Sequence, residues 1–380
     1  MTVDVRRVSS KADFKAFFEF PWTIYRGDPN WVPPLLSMRR ELFDRQKGAA
    51  WEYMDGDLFT AWRGDQIVGT IGVVENRRHN EFHDEHIAWF GAFDVFDDQE
   101  AAHALFEAAL AWARGRGLTA LRGPQTFTTH EETGLLVEGF TRPVILYSYN
   151  KPYYQRLVET EGFTGVMDTY GYYLSAAKAV EIGTLDRLNR LSTAIEKRNK
   201  IRVRMTDPKN LKQEFQLLKD LYNAAWEKNW GFVPMTPREL DVMVKSLGQF
   251  FDYRLSFFSY VDDEPAGMVM GLPDFNQVLQ KAQPRPGTPE LWTLLKALYY
   301  WKVARIIDWG RVPLLGVKEK FRGKGVDVVM YAALLRSMIE NGYKHSDSGW
   351  ILSTNQPMTG IAKNVGGEVY KVYRYYEKAL

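Results

Sequence analysis

Apolar positions fall in short alternating runs separated by stretches of helical spacing, and this order occurs twice along the chain. Val3 to Val8 alternates and predicts a strand; Asp13 to Phe20 predicts a helix. Pro21 to Pro34, rich in aromatic residues and prolines, predicts an ordered, extended connection packed on a sheet. Met38 to Gln46 predicts a second helix. Leu58 to Trp62 and Ile67 to Val74 predict a hairpin turning at Arg63 to Gln66. Ile87 to Phe96 is a strand, and Ala101 to Arg116 a helix whose buried face holds Leu105, Ala108, Ala109 and Trp112. Leu118 to Arg122, Leu135 to Phe140 and Pro143 to Tyr149 are extended, Tyr153 to Glu159 is helical, and Thr169 to Leu174 closes the first half.

A helix carrying Leu185, Leu188, Leu191 and Ile195 then runs into the basic tract Lys197 to Lys200 and connects the halves. The order resumes with a strand at Ile201 to Met205 and helices at Leu211 to Lys228 and Arg238 to Leu247. Leu255 to Val261 and Ala266 to Leu272 form a hairpin. Pro273 to Arg311 reads as an insertion. Its helix, Pro289 to Arg305, carries Trp292, Tyr299 and Trp301, which suit an interface between the halves slightly better than the wall of an apolar pocket. Val312 to Val317 is a buried strand and Val326 to Glu340 a helix. Tyr343 to Leu352 is a strand, Pro357 to Asn364 a helix and Glu368 to Tyr376 a final strand.

The chain has 380 residues, too many for one ordinary core, so the repeat implies two domains, 1–178 and 179–380. Without cysteine, disulfides, thiolate metal sites and a cysteine nucleophile are excluded, and a cytoplasmic location is the expectation. No run approaches the roughly 20 apolar residues of a membrane span. A net charge of +2 gives no general case for nucleic acid. His79, His83 and His86 stand among acids, a grouping that fits a solvated connection better than a metal cluster, so no metal is expected.

The stretch with chemistry is Val317 to Val326. Lys318, Lys320, Phe321, Arg322, Gly323, Lys324 and Gly325 lie between the buried strand and its helix. The first turn of a helix offers unpaired N–H groups and the positive end of the dipole. Gly323 and Gly325 let a ligand approach the backbone, and the cations add charge. That is a phosphate or pyrophosphate cradle. It is neither a Walker A loop nor a Gly-x-Gly-x-x-Gly fingerprint. At the matching junction of the first half, Phe96 to Glu100 is acidic and caps its own helix, so that copy lacks the cradle.

Val-x-x-x-Phe-Arg-Gly-x-Gly-Val after a strand resembles motif A of the GNAT acyltransferase superfamily, and the two-half pattern resembles its tandem type. The resemblance implies an α/β (α+β) fold of two GNAT-like domains, each a mixed, mostly antiparallel twisted sheet flanked by helices. It implies acetyl-CoA or another acyl-CoA as co-substrate, its pyrophosphate on the loop from Val317 to Val326. A backbone N–H near Val317 would polarise the thioester carbonyl, and Asn355 would contact the pantetheine arm. An amine attacks the thioester, so a base and an acid are needed. Many relatives place a tyrosine acid where this chain has Ala362. Asp347 is therefore the candidate base and Tyr373 the candidate acid, with Tyr370, Tyr375 and Tyr376 as alternatives on the same strand.

These readings converge on an acyl-CoA-dependent N-acyltransferase, by default an N-acetyltransferase, acting on a small-molecule amine or amino acid. One rival is a long-chain N-acyl amino acid synthase fed by acyl carrier protein. The other is a protein that holds coenzyme A or an anion without turnover. RNA is a weaker option, because no aromatic residues interleave with a basic stripe around Arg322.

Overall fold

A computed structural model describes residues 2–128, 131–226, 229–248 and 250–380. The helix end expected at Lys228 lies outside them. The chain forms two compact units. The first comprises Met1–Thr169, Val278–Arg305 and Lys371–Leu380; the second comprises Tyr170–Gln277 and Ile306–Tyr370.

The first unit opens with β1 (Val3–Arg7), α1 (Lys11–Ile24) and α2 (Leu36–Phe43). Ser10 and Asp13 form a capping box at the start of α1. The helix does not stop before Pro21, as the sequence pattern suggests. Proline removes one backbone bond, but Phe17, Phe18, Phe20 and Ile24 are buried and Tyr25 N–H still reaches the Pro21 carbonyl at 3.0 Å. Core burial outweighs the local penalty. The hairpin β2 (Met54–Arg63) and β3 (Gln66–Asn76) turns through Gly64 at φ +62°. Then come α3 (Arg77–His83), β4 (Ile87–Val95), α4 (Gln99–Arg114), β5 (Ala120–Gly123), β6 (Leu135–Glu138) and α5 (Tyr154–Thr160). Pro143 to Tyr149 is not extended throughout, since Leu146 turns the backbone at φ +68°. The core groups Phe90, Phe93, Phe106, Leu110 and Tyr154 between the sheet and α4.

β7 (Thr164–Ser175) leads the chain into the second unit, followed by α6 (Ala176–Glu181) and α7 (Thr184–Asn199). β8 (Ile201–Met205), α8 (Leu211–Trp226), α9 (Pro237–Gly248), β9 (Ser256–Val261) and β10 (Glu264–Pro273) come next. The segment read as an insertion holds α10 (Asn276–Ala282) and α11 (Glu290–Leu298), and its residues 278–305 group with the first unit. The second unit resumes with β11 (Trp309–Val317), α12 (Val326–Glu340), β12 (His345–Asp347), β13 (Ile351–Leu352) and α13 (Gln356–Asn364). The single strand expected from Tyr343 to Leu352 is broken. Gly349 sits at φ +71°, where an added Cβ would lie 2.7 Å from the Val312 carbonyl oxygen. β14 (Glu368–Ala379) ends the chain, pairing antiparallel with β5 and β6.

Each unit therefore has a mixed, mostly antiparallel sheet with helices on it. The first runs β1–β2–β3–β4–β5–β14 and the second β7–β12–β11–β10–β9–β8. Among the described strands, each unit contains one parallel pair joined through a helix. These are β4–α4–β5 in the first and β11–α12–β12 in the second.

Candidate functional site

The parallel pair of the second unit is short. Trp309, Gly310 and Arg311 pair with His345, Ser346 and Asp347, and the ladder stops. β11 runs on to Val317 while the other chain turns away at Gly349. Lys318 N–H donates to Ala266 on β10 at 2.9 Å. Strand alternation then turns the Leu315 and Val317 N–H groups to the opposite edge, where pairing with β12 has ended.

The loop begins where β11 ends. Val317, Phe321 and Val326 are buried in the core of this unit, and they fix the loop's course. Arg322, Gly323 and Lys324 are exposed. The Arg322 side chain folds back, its Nε donating to the Val317 carbonyl at 3.2 Å. Gly325 stands at the N-cap of α12 with φ +81° and supplies no side-chain cap. An added Cβ there would meet Ile195 at 2.9 Å. Asn199 Nδ2 donates to the Lys324 carbonyl at 2.6 Å, so α7 braces the loop. Lys320 lies 2.6 Å from Glu264 and Lys318 3.8 Å, and the hydrogen bond from Lys320 holds Glu264 below the usual carboxylate range. Asn355 caps α13, accepting from Met358 N–H at 3.2 Å.

Below the point where the strands part lies a buried polar knot. The Asp347 carboxylate is 3.5 Å from Arg311 Nε. It accepts from Gly349 N–H at 2.9 Å and from the Tyr370 hydroxyl at 2.8 Å. The Arg311 guanidinium lies 4.6 Å from the Trp350 ring centroid. Beside the knot, Trp309 stacks on His345, whose Nδ1 is 2.8 Å from the Tyr173 hydroxyl.

No protein-family model matches the chain. A tandem GNAT protein from the clavulanic acid biosynthesis pathway shares the fold at a TM-score of 0.54 and 11% identity, covering 99% of this chain and 98% of its own. A GCN5-related N-acetyltransferase from Sphaerobacter thermophilus does so at 0.51 and 11%, covering 99% and 95%. By sequence, the chain is 34% identical over 379 residues to the bacterial ceramide synthase of Caulobacter vibrioides, spanning 98% of this chain and 96% of that protein.

The chain belongs to the family of that bacterial ceramide synthase and has the fold of the tandem GNAT structures.

It is also 29% identical to protein YghO of Escherichia coli, over 99% of this chain and 95% of that protein. The fold likeness gives the chain two GNAT-like halves. The two halves differ at the helix that follows the parallel strand. In the first unit Asp98 caps α4, accepting from Ala101 N–H at 3.2 Å, and Arg63 binds both Asp98 and Glu100. In the second unit the matching helix has glycine and cations instead.

Tyr373 belongs to the first unit. It is fully buried, stacks on Tyr147 at 4.8 Å and donates to the Ser148 carbonyl at 3.1 Å. Sequence reasoning missed a second group in this GNAT unit. β4 pairs with β5 only from Ile87 to Trp89; past Ala92, at φ +45°, it stays paired with β3, where Thr70 faces Asp94, but no longer with β5. There Asp94 Oδ1 accepts from the hydroxyls of Tyr25 at 2.7 Å and Tyr154 at 3.2 Å. Burial raises the Asp94 pKa above the usual range, although both hydroxyls and Arg39 oppose the shift. A half-accessible carboxylate of this kind is suited to take a proton. The available signal was a lone charge in the otherwise apolar run Ile87 to Phe96.

Among the described residues no cluster of three or more acidic, histidine or cysteine groups is arranged to hold a metal. No helix among them is long and apolar enough to cross a membrane.

Proposed function

We propose that the chain is an N-acyltransferase that joins a fatty acyl group, carried as a thioester, to the amino group of a long-chain amino alcohol. The observation that carries this reading is the full-length match to a protein named bacterial ceramide synthase, since a ceramide is the amide of such a pair. It favours a long acyl chain over the acetyl group that the superfamily suggests by default.

We place the donor in residues 179–380 and a substrate-shaping role in residues 1–178. The donor's phosphates would rest on the free first turn of α12 beside Arg322 and Lys324. Gly323 and Gly325 keep the backbone open, while Phe321 and Val326 hold the loop from below. Lys318 and Lys320 act through Glu264, as a rim of charge. The pantetheine arm would follow β11 towards Asn355, with Val317 N–H polarising the carbonyl. The amine nitrogen attacks the thioester carbon, the C–S bond breaks, one proton leaves the nitrogen and one reaches the sulfur. For that exchange the second unit offers Tyr370 held by Asp347; Asp94 and Tyr373 are separate candidates within the first unit. The exposed cations of the loop also support a second donor, acyl carrier protein, through its phosphopantetheine.

The test incubates purified protein with palmitoyl-CoA, acetyl-CoA or palmitoyl carrier protein against sphinganine or an amino acid, and reads amides by mass spectrometry. Long-chain sphinganine amide is the expected product. Acetyl amides alone, or no amide with any pair, would overturn the reading.

A further inference from the structure

Helix α11 is packed inside out. Of its residues only Thr293 and Ala297 are buried, one helical turn apart, so a seam of small side chains holds it to the molecule. The large apolar side chains face away. Leu291 is 66% exposed, Trp292 61%, Leu298 52% and Tyr299 54%. A widened π turn, Tyr299–Val303, follows and brings Val303 out at 68%. A helix of a water-soluble core does the reverse, and contiguous apolar surface of this kind marks a binding face.

We propose that α11 and the turn after it lie in the headgroup layer of an anionic lipid membrane. Two further observations choose that occupant. First, the charge on the helix has one sign towards solvent. Lys296, Lys302 and Arg305 are exposed, and Lys302 Nζ lies 3.5 Å from the Trp301 ring centroid. The one acid, Glu290, is half-buried and already engaged, accepting from Ser37 N–H and Oγ at 3.0 and 3.1 Å. Second, tryptophan and tyrosine alternate with leucine and lysine, the mixture that settles where hydrocarbon meets headgroups. An acidic protein would use the cations but not the leucines, and a second copy of this chain would bring its own cations against these.

A groove adjoins the loop that leads into this helix. The loop before α11, Gln283 to Pro286, forms one wall of a groove of about 680 Å³ in the same unit, with Trp22, Tyr25 and Trp31 on the other. Trp22 Nε1 donates to the Pro284 carbonyl at 2.8 Å and ties the walls together. Glu19, Arg26, Asp28 and Arg285 also line the groove, which is therefore mixed in character. The inference stands on the helix alone and does not require the acyl-transfer reading.

The test uses the full chain and no substrate. Vesicles of phosphatidylcholine alone, or of phosphatidylcholine with phosphatidylglycerol, are sedimented with the wild type, with Leu295→Glu/Leu298→Glu and with Lys296→Glu/Lys302→Glu. These side chains are exposed, so both variants should keep the wild-type melting temperature. The expected result is co-sedimentation with the anionic vesicles and a blue shift of tryptophan emission. The leucine variant should lose both, and the lysine variant should lose the preference for anionic lipid. A wild type that stays in the supernatant, or binding that the leucine variant retains, overturns the proposal. So does a concentration-dependent dimer that the leucine variant abolishes while vesicle binding is absent.

Discussion

The Asp347 carboxylate lies 3.5 Å from the Arg311 guanidinium, and neither side chain has any solvent exposure. Removing one partner of such a pair strands the other charge in a low-dielectric interior. Asp347→Ala should therefore lower stability by about 3–5 kcal/mol in urea denaturation. Tyr370→Phe, which deletes one hydrogen bond to the same carboxylate, should cost about 1 kcal/mol. If Asp347→Ala kept full stability and lost only turnover, the carboxylate would be a base and not the anchor of the parting strands.

Gly325 and Gly323 both sit in the left-handed region, at φ +81° and +75°, but in different surroundings. A Cβ at Gly325 would press on Ile195, whereas nothing lies within 4 Å of one at Gly323. Gly323→Ala should cost roughly 1 kcal/mol of backbone strain, and Gly325→Ala about 1–3 kcal/mol. Thermal melts of the two variants give the order. A reversed order would mean that α7 does not brace the loop.

Arg322 is exposed and reaches back to the Val317 carbonyl at the end of β11. Reversing its charge should weaken coenzyme A binding about tenfold or more, read by calorimetric titration. Lys320→Ala should weaken it less, because Glu264 already offsets that charge. Equal losses would place the phosphates away from Arg322.

The raised pKa of Asp94 has a sign. Its folded carboxyl titrates above its unfolded value, so the charged form costs stability at neutral pH, and the cost is relieved as pH falls through the folded pKa. Asp94→Asn keeps an acceptor for Tyr25 and Tyr154 and removes the charge. It should melt no lower than the wild type at neutral pH while losing most of its turnover. A large fall in melting temperature would make Asp94 a structural ion instead.

His79 runs the other way. It is 2% exposed and packs edge-on to Trp89, and burial pushes its pKa to about 4 despite Glu85 at 2.8 Å. Unfolded, it would titrate near 6.5, so the unfolded chain holds the extra proton between those values. Stability should fall as pH drops through that window, by up to ~3 kcal/mol. Denaturation at neutral pH and near pH 4 measures the slope, which His79→Gln should flatten.

The loop at Val317 to Val326 was legible because its chemistry is local. Two glycines, four cations and the switch from strand to helix spacing fall within a few residues. Most strands announced themselves by alternation in the same way. Asp94 did not, because its partners Tyr25 and Tyr154 lie 69 and 60 residues away. Helical period shows that α11 is amphipathic but not which face is buried, and here the seam is Thr293 and Ala297. The break at Gly349 depends on the Val312 carbonyl from another strand, and nothing near residue 349 encodes that contact.

β14 has a consequence for the order in which the protein can be made. Residues 371–380 belong to the first unit, where Tyr376 pairs with Gly123 and Tyr373 with Leu136. A ribosome that has produced the first 169 residues has therefore not yet produced the strand that covers the β5 edge. Until the last residues emerge, that edge presents unpaired N–H and carbonyl groups to other nascent chains. The sheet of the first unit is therefore completed only after the whole of the second unit has been made.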